Sequence, residues 1–132
     1  MVVTFDTNVL LSATVWDGSV AQKLLFDLIR QEIKIYSSTE IHSEYQEILK
    51  RDFDFSDEEV SEIMEKVLAF VTLVNPKTKV NVVKADPDDD VIIECAHEYK
   101  SKYIITYDKH LLSLKEYKGI CIIRPEEARA IL

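Results

Sequence analysis

Short runs of β-forming residues alternate with segments of helical periodicity along the whole chain. Strands are predicted at Val2–Phe5, Ile33–Tyr36, Tyr103–Thr106 and Ile120–Ile123, with an extended edge segment at Val80–Val83. The segments between them place apolar residues three and four positions apart, as one face of a helix does. Strands that alternate with helices form parallel sheets covered on both faces. The sequence therefore predicts a three-layer α/β/α sandwich with a mostly parallel central sheet.

Helix boundaries are marked by capping signals. Ser19 with Gln22, and Ser56 with Glu59, have the spacing of a capping box, in which a serine begins a helix. Ser38 or Thr39 is placed to begin another. The predicted helical segments are Asn8–Ala13, those after Ser19, Ser38 and Ser56, one starting in the acidic run 86–90, the short turn Asp108–Leu114 and Pro125–Leu132.

Length and charge narrow the class of protein. A chain of 132 residues suits one domain, which we expect to span 1–132. The net charge of −8 argues against a protein that holds nucleic acid by broad electrostatic attraction. No apolar run approaches the roughly 18 residues of a membrane span, so no membrane partner is expected. Cys95 and Cys121 lie in apolar stretches without metal-ligand spacing, which predicts reduced, buried thiols and a cytoplasmic protein.

The acidic residues stand at particular points of this pattern. Asp6 directly follows the first predicted strand, and Asp108 follows the strand Tyr103–Thr106 by two residues. Asp88, Asp89 and Asp90 fall in the first turn of a helix, and Glu44 lies on the helix after the second strand. Ligands of such sheets bind outside the carboxyl ends of the strands. The sequence therefore predicts that four segments bring acids to one edge of the sheet.

Crowded carboxylates favour a divalent cation. Without a counter-charge their mutual repulsion raises their pKa values, and a cation removes this cost. Mg²⁺ or Mn²⁺ prefers oxygen ligands, and it can polarise a phosphodiester and supply a metal-bound hydroxide. Each acid alone also has a simpler role, since Asp6, Asp108 and the acids 88–90 could cap helices and Glu44 could be a solvated helix residue. The joint pattern favours the metal.

These motifs resemble those of the PIN-domain nucleases. The similarity lies in 3–10 (VTFDTNVL), in the Ser38, Glu44 and Leu49 spacing, in Asp86–Asp90, in 104–108 (IITYD) and in the closing segment 124–127. The subgroup most similar is that of the toxins of type II toxin–antitoxin modules. The resemblance implies a Mg²⁺- or Mn²⁺-dependent endoribonuclease acting on single-stranded RNA, with in-line attack that leaves a 5′-phosphate and a 3′-hydroxyl.

The resemblance also implies roles for individual residues. Asp6 and the third acid, which is Asp89 or else Asp90, would bind the principal metal. Asp108 would bind it directly or through water, or help to hold a second ion. Glu44 would ligate the metal or act as the base that activates water; Glu40 fits the family spacing less well. Residues that would orient a carboxylate or a metal-bound water are Thr7, Asn8 and Thr106.

Partners and alternatives complete the expectation. The family implies an antitoxin protein, and the apolar helical faces together with family habit imply a homodimer. Trp16 either stacks on a base or is partly buried. The lysines that either contact phosphates near the site or serve as solubilising charge are Lys77, Lys79, Lys84, Lys100, Lys102 and Lys109. Two other functions stay open, which are phosphoryl transfer at Asp6 in a receiver-like fold, with Lys109 nearby, and an inactive PIN-like binding module.

Overall fold

A computed structural model describes residues 1–77, 79 and 89–132. Within them the strands are β1 (Val2–Phe5), β2 (Lys34–Ser38), β3 (Val71–Val74), β4 (Tyr103–Ile105), β5 (Glu116–Tyr117) and β6 (Ile120–Ile123). The helices are α1 (Thr7–Val15), α2 (Val20–Arg30), α3 (Thr39–Asp52), α4 (Asp57–Leu68), α5 (Asp90–Glu98), α6 (Lys109–Leu114) and α7 (Pro125–Ile131). None of these helices is long and apolar enough to cross a bilayer.

One six-stranded sheet organises the described residues, in the order β3-β2-β1-β4-β6-β5. All neighbouring pairs are parallel except β5 with β6. Helix α5 packs against β1, β2 and β4, while α2 packs between α1 and α7. The predicted three-layer α/β/α sandwich with a mostly parallel sheet is confirmed.

The centre of the sheet is apolar because its strands are covered on both sides. Val3, Phe5, Ile104 and Ile105 have no solvent exposure. A polar pair crosses this core, since the hydroxyls of Thr4 and Ser101 lie 2.6 Å apart. The pairing of β1 with β4 positions the two chain segments that continue into Asp6 and Asp108.

Two strands were not predicted. Val71–Val74 forms β3, which begins three residues after the last residue of α4. Its four residues pair with β2, and this tertiary contact decides their structure. The two-residue β5 is held by β6 alone among the described elements and carries no periodic signal of its own. The expected edge segment Val80–Val83 and the residues 86–88 of the acidic run lie outside the described residues.

The cysteines follow the prediction in part. Both are free thiols, and Cys95 is fully buried, so that burial raises the pKa of its thiol to about 11. Cys121 is only partly buried, because it lies on β6 near the β5 edge of the sheet.

Candidate active site

Four predicted acids meet at the carboxyl edge of the sheet. Asp6, Glu44, Asp89 and Asp108 line one cavity of about 170 Å³, together with Thr7 and Asn8. They come from the end of β1, from α3, from the residue before α5 and from the residue before α6. The structure thus places acids from four separate segments around one cavity at this edge.

Asp6 is the most enclosed of these acids, with 7% of its surface exposed. Its Oδ1 accepts a hydrogen bond from the Thr7 backbone N–H at 2.7 Å, and its Oδ2 accepts one from Thr106 Oγ1 at 2.7 Å. Burial, with smaller contributions from the charges of Glu44 and Asp108, raises the Asp6 pKa to about 6 against the lowering effect of these bonds. The negative charges here lie close enough to oppose one another.

Thr106 joins Asp6 to Asp108. Its buried hydroxyl donates to Asp6 and accepts from the Asp108 backbone N–H at 2.9 Å. Asn8 holds the same loop from the other side, since its Oδ1 accepts from the Tyr107 N–H at 3.2 Å and its Nδ2 lies 3.5 Å from Asp6 Oδ2. These two side chains fix the position of the Asp108 backbone relative to β1.

Glu44 lies on the exposed surface of α3. Thr7 Oγ1 donates a hydrogen bond to Glu44 Oε2 at 3.3 Å, so that α1 and α3 meet at the cavity. Farther along the same helices, the Thr14 and Tyr45 hydroxyls lie 2.6 Å apart. The two contacts set the position of Glu44 relative to Asp6.

The capping roles considered for Asp6 and Asp108 are also present. Asp6 is the N-cap of α1, and Asp108 Oδ1 accepts from the backbone N–H groups of His110 and Leu111 at 2.8 and 3.2 Å. A carboxylate has about four acceptor positions. Capping therefore leaves acceptor capacity on Asp108, while it fixes the direction of the side chain.

The two candidates for the third acid occupy different places. Asp89 lines the cavity with the other acids and makes no side-chain capping bond to α5. Asp90 is 5% exposed and does not belong to the described lining of the cavity. This placement favours Asp89.

A hard divalent cation fits this oxygen-only set, although the acids are not drawn together as a complete ligand group. Among residues 1–77, 79 and 89–132, no three acidic, histidine or cysteine side chains are close enough to hold an ion directly. Mg²⁺ keeps several waters and is commonly held by one or two carboxylates. Direct ligation by Asp6 and Asp89, with the other acids acting through water, is compatible with that spacing.

Sequence reasoning missed the apolar wall of the cavity and one buried acid. Leu11, Ile48 and Ile92 line the cavity beside the carboxylates. Glu94 is 5% exposed, and Lys79 Nζ lies 3.7 Å from its Oε1 and 3.8 Å from Glu40 Oε1. The position of Glu94, one helical turn after Asp90, was the signal available in the sequence.

The expectation for the lysines is corrected in part. Lys109 begins α6 beside Asp108, but Lys100 and Lys102 precede β4 and lie at the opposite edge of the sheet. Residues that precede a parallel strand lie at the edge of the sheet where the strands begin. Their spacing from Asp108 in the sequence does not show this. Lys84 lies outside the described part of the chain.

Comparison with known proteins agrees with this geometry. The profile of the PIN domain family matches residues 2–110. The uncharacterized protein MJ1680 of Methanocaldococcus jannaschii is 31% identical over 118 residues, which are 86% of this chain and 75% of that protein.

A solved structure shares the fold. A chain in the crystal structure of VapBC2 from Rickettsia felis, bound to a DNA fragment from its promoter, superposes with a TM-score of 0.70 at 13% identity. The match covers 94% of this chain and 98% of that one. The family profile spans β1 through the start of α6 and so includes every acid of the cavity. The chain therefore belongs to the PIN domain family of nucleases.

Proposed function

We propose that this chain is a Mg²⁺- or Mn²⁺-dependent endoribonuclease that hydrolyses phosphodiesters of single-stranded RNA. The observation that carries the proposal is the cavity in which Asp6, Glu44, Asp89 and Asp108 converge from four elements. A bound cation would polarise the scissile phosphate and make a hydroxide available near neutral pH. We propose that the single catalytic unit spans residues 1–132.

The residues have distinct proposed roles. Asp6 and Asp89 would hold the principal cation, with Asp108 acting through a water or helping to hold a second ion. Glu44, exposed and bound to Thr7, would ligate the cation through a water or take the proton of the attacking water. Thr7, Asn8 and Thr106 would keep the carboxylates in place, as their hydrogen bonds already do.

We propose further that the protein is the toxin of a toxin–antitoxin pair in the cytoplasm. The fold shared with a chain of the VapBC2 complex supports this biological setting. Phosphoryl transfer at Asp6 fits less well, because it leaves Glu44 and Asp89 without a role in the cavity that they share with Asp6. An inactive binding module would not need four carboxylates at one edge.

A homodimer is proposed from an apolar groove of about 240 Å³ between α1, α2, α4 and the start of β3. Phe26 and Phe70 line it and are 49% and 45% exposed. Asp17 and Lys66 also line the groove. A two-fold axis through the groove would cover its apolar lining in both copies.

The test of the proposed activity compares Asp6→Asn with Asp54→Asn on a labelled single-stranded RNA. Asp54 is exposed and has a φ of 53°, which asparagine adopts readily, so that the second variant makes the same chemical change away from the cavity. With Mn²⁺ we expect the parent and Asp54→Asn to cleave the RNA at the same rate, and Asp6→Asn to cleave it at least about a hundredfold more slowly. With EDTA we expect no cleavage by any of the three proteins.

Circular dichroism of each variant separates catalysis from folding. A folded Asp6→Asn protein that cleaves as fast as the parent would contradict the metal-nuclease proposal. Cleavage that persists in EDTA would contradict the proposed metal requirement but not the nuclease activity.

A further inference from the structure

Lysines lie along the edge of the sheet at which its parallel strands begin, opposite the acidic cavity. Lys34 opens β2 and is aligned with Val2 of β1. On the other side of β1, the Lys102 backbone N–H donates to the Val2 carbonyl at 2.9 Å. Strands lie about 4.8 Å apart, so the two lysines are separated by about 10 Å across β1 at the same level. Both lysines therefore flank Val2 at the edge where the strands begin.

Two further lysines extend this row. Lys100 precedes Lys102 by two residues, and Lys118 lies in the turn between β5 and β6. Lys34, Lys100, Lys102 and Lys118, here called the basic edge, are all exposed. Within the described part of the chain none of the four has an acidic group within ion-pair distance. Their charges are therefore available to an external anion.

Aromatic rings lie beneath two of these charges. Lys102 Nζ is 5.7 Å from the centre of the Tyr103 ring, and Lys118 Nζ is 5.5 Å from that of Tyr117. Both rings are half-buried, and Tyr117 also contacts His97 edge-on at 5.7 Å. Lysines beside fixed aromatic rings are the combination that binds phosphates and bases of single strands.

The acidic edge cannot supply RNA affinity in the same way. Besides the four acids of the cavity, Glu40 and Glu47 line the adjoining groove along α3, and Arg51, which also lines it, is paired with Asp52. Phosphates that do not contact the cation are repelled there, and the chain carries a net charge of −8. Affinity for a polyanion comes mainly from the lysines and arginines that displace its counterions. That requirement points away from the cavity and toward the basic edge.

We propose that the basic edge is a second RNA-binding surface, which holds phosphates of a single strand whose other part reaches the cavity. This inference rests on the proposed ribonuclease function. The two edges are separated by the length of β1, about 13 Å, and helices cover the sheet between them, so RNA that reaches both must pass around these helices. The surface thus favours RNA that extends beyond the cleaved bond.

The test measures binding of a 20-nucleotide single-stranded RNA in EDTA, where proposed cleavage is suppressed, at several salt concentrations. A double variant, Lys34→Gln with Lys102→Gln, is compared with the matched pair Lys23→Gln and Lys50→Gln on α2 and α3. Loss of two phosphate contacts should weaken binding on the order of tenfold at about 0.1 M salt and reduce the salt slope by about 1.4. The control pair, with the same change in net charge, should bind like the parent.

Three outcomes would overturn the inference: a parent that does not bind RNA in EDTA, equal binding by parent and edge variant, or equal losses in edge and control variants. Circular dichroism checks each fold, and if a double variant is unfolded its two single variants are judged by the same criteria at half the slope change. A protein that binds through the basic edge but never cleaves RNA with Mn²⁺ would contradict the proposed function and retain this surface. A protein that cleaves RNA with Mn²⁺, and whose variants all bind RNA like the parent, would support the proposed function and contradict the basic edge as an RNA-binding surface.

Discussion

Asp6 is a buried carboxylate at the candidate metal site, and its burial costs folding free energy when it is charged. Its position after β1 buries it, and burial raises its pKa to about 6. At neutral pH the folded chain therefore keeps a largely desolvated negative charge near Glu44 and Asp108. A bound cation would relieve this cost, while the hydrogen bonds from Thr7 and Thr106 offset part of it without a metal.

The metal-free protein should show this cost as a pH dependence of its stability. A carboxyl whose pKa rises from 3.8 to about 6 on folding binds its proton more tightly in the folded state. Its stabilising contribution is full below about pH 3.8 and is lost as the pH rises through 6. In EDTA, we expect the free energy of unfolding of the parent, relative to Asp6→Asn, to fall by roughly 1 to 2 kcal/mol between pH 5 and pH 7.5. Urea titrations at both pH values measure it, and a pH-independent difference would show that Asp6 has an ordinary pKa.

At the scale of elements, helix N-caps place the site. Ser38 Oγ accepts from the Ile41 N–H at 3.1 Å and begins α3, the helix of Glu44. Ser56 makes the matching bond to Glu59 at 3.1 Å and begins α4, with Glu59 bonding back to the Ser56 N–H. The difference between the two caps is burial, since Ser38 is 1% exposed and Ser56 lies on the surface.

Removing these caps should therefore have unequal effects. In Ser56→Ala water can replace the lost acceptor, and we expect a loss of about 0.5 to 1 kcal/mol in the free energy of unfolding. In Ser38→Ala the Ile41 N–H stays buried without that acceptor, and we expect about 2 kcal/mol. Urea midpoints at equal m-values give both numbers. A larger loss in Ser56→Ala would mean that burial does not control the strength of these caps.

At the scale of the whole molecule, the acidic cavity and the basic edge lie at opposite edges of the sheet. The carboxyl edge of the sheet carries the acids of the cavity, and the opposite edge carries Lys34, Lys100, Lys102 and Lys118. A cation that binds the folded state and not the unfolded chain stabilises the molecule by mass action.

We expect Mn²⁺ at about one hundred times its dissociation constant to raise the free energy of unfolding by about 2.7 kcal/mol over the value in EDTA. Melting curves with increasing Mn²⁺ measure the effect. Asp6→Asn should lose most of the rise, and Asp54→Asn should keep it. Identical melting of the parent with Mn²⁺ and with EDTA would argue against a shared metal site.

The apolar groove leads to a second expectation at this scale. Sedimentation at micromolar concentration should give about twice the chain mass of 15.3 kDa. Phe26→Ser should shift the protein toward the monomer, because the ring is half-exposed in one copy and would be covered in a pair. The exposed Leu68, at the end of α4, provides the control Leu68→Ser, since it does not line the groove as described. A parent that sediments as a monomer would refute the dimer.

The layered α/β/α architecture and most of its elements could be predicted from local sequence patterns. Local periodicity and helix capping act over a few residues and were enough to predict these elements. They include β1, β6 and the helices that begin after Ser19, Ser38 and Ser56. The convergence of Asp6, Glu44, Asp89 and Asp108 also followed from the sequence, because the carboxyl ends of parallel strands meet at one edge.

The other features depend on contacts between residues that are distant in the sequence. Strand β3 follows α4 without a break in the apolar pattern, and its pairing with β2 determines its conformation. The choice between Asp89 and Asp90 depends on how α5 is rotated over the sheet, which adjacent acids in a sequence do not encode. Lys100 and Lys102, close to Asp108 along the chain, lie across the molecule from it because β4 stands between them. Residues just before and just after one strand are close in the sequence. They lie at opposite edges of the sheet, because the strand runs from one edge to the other.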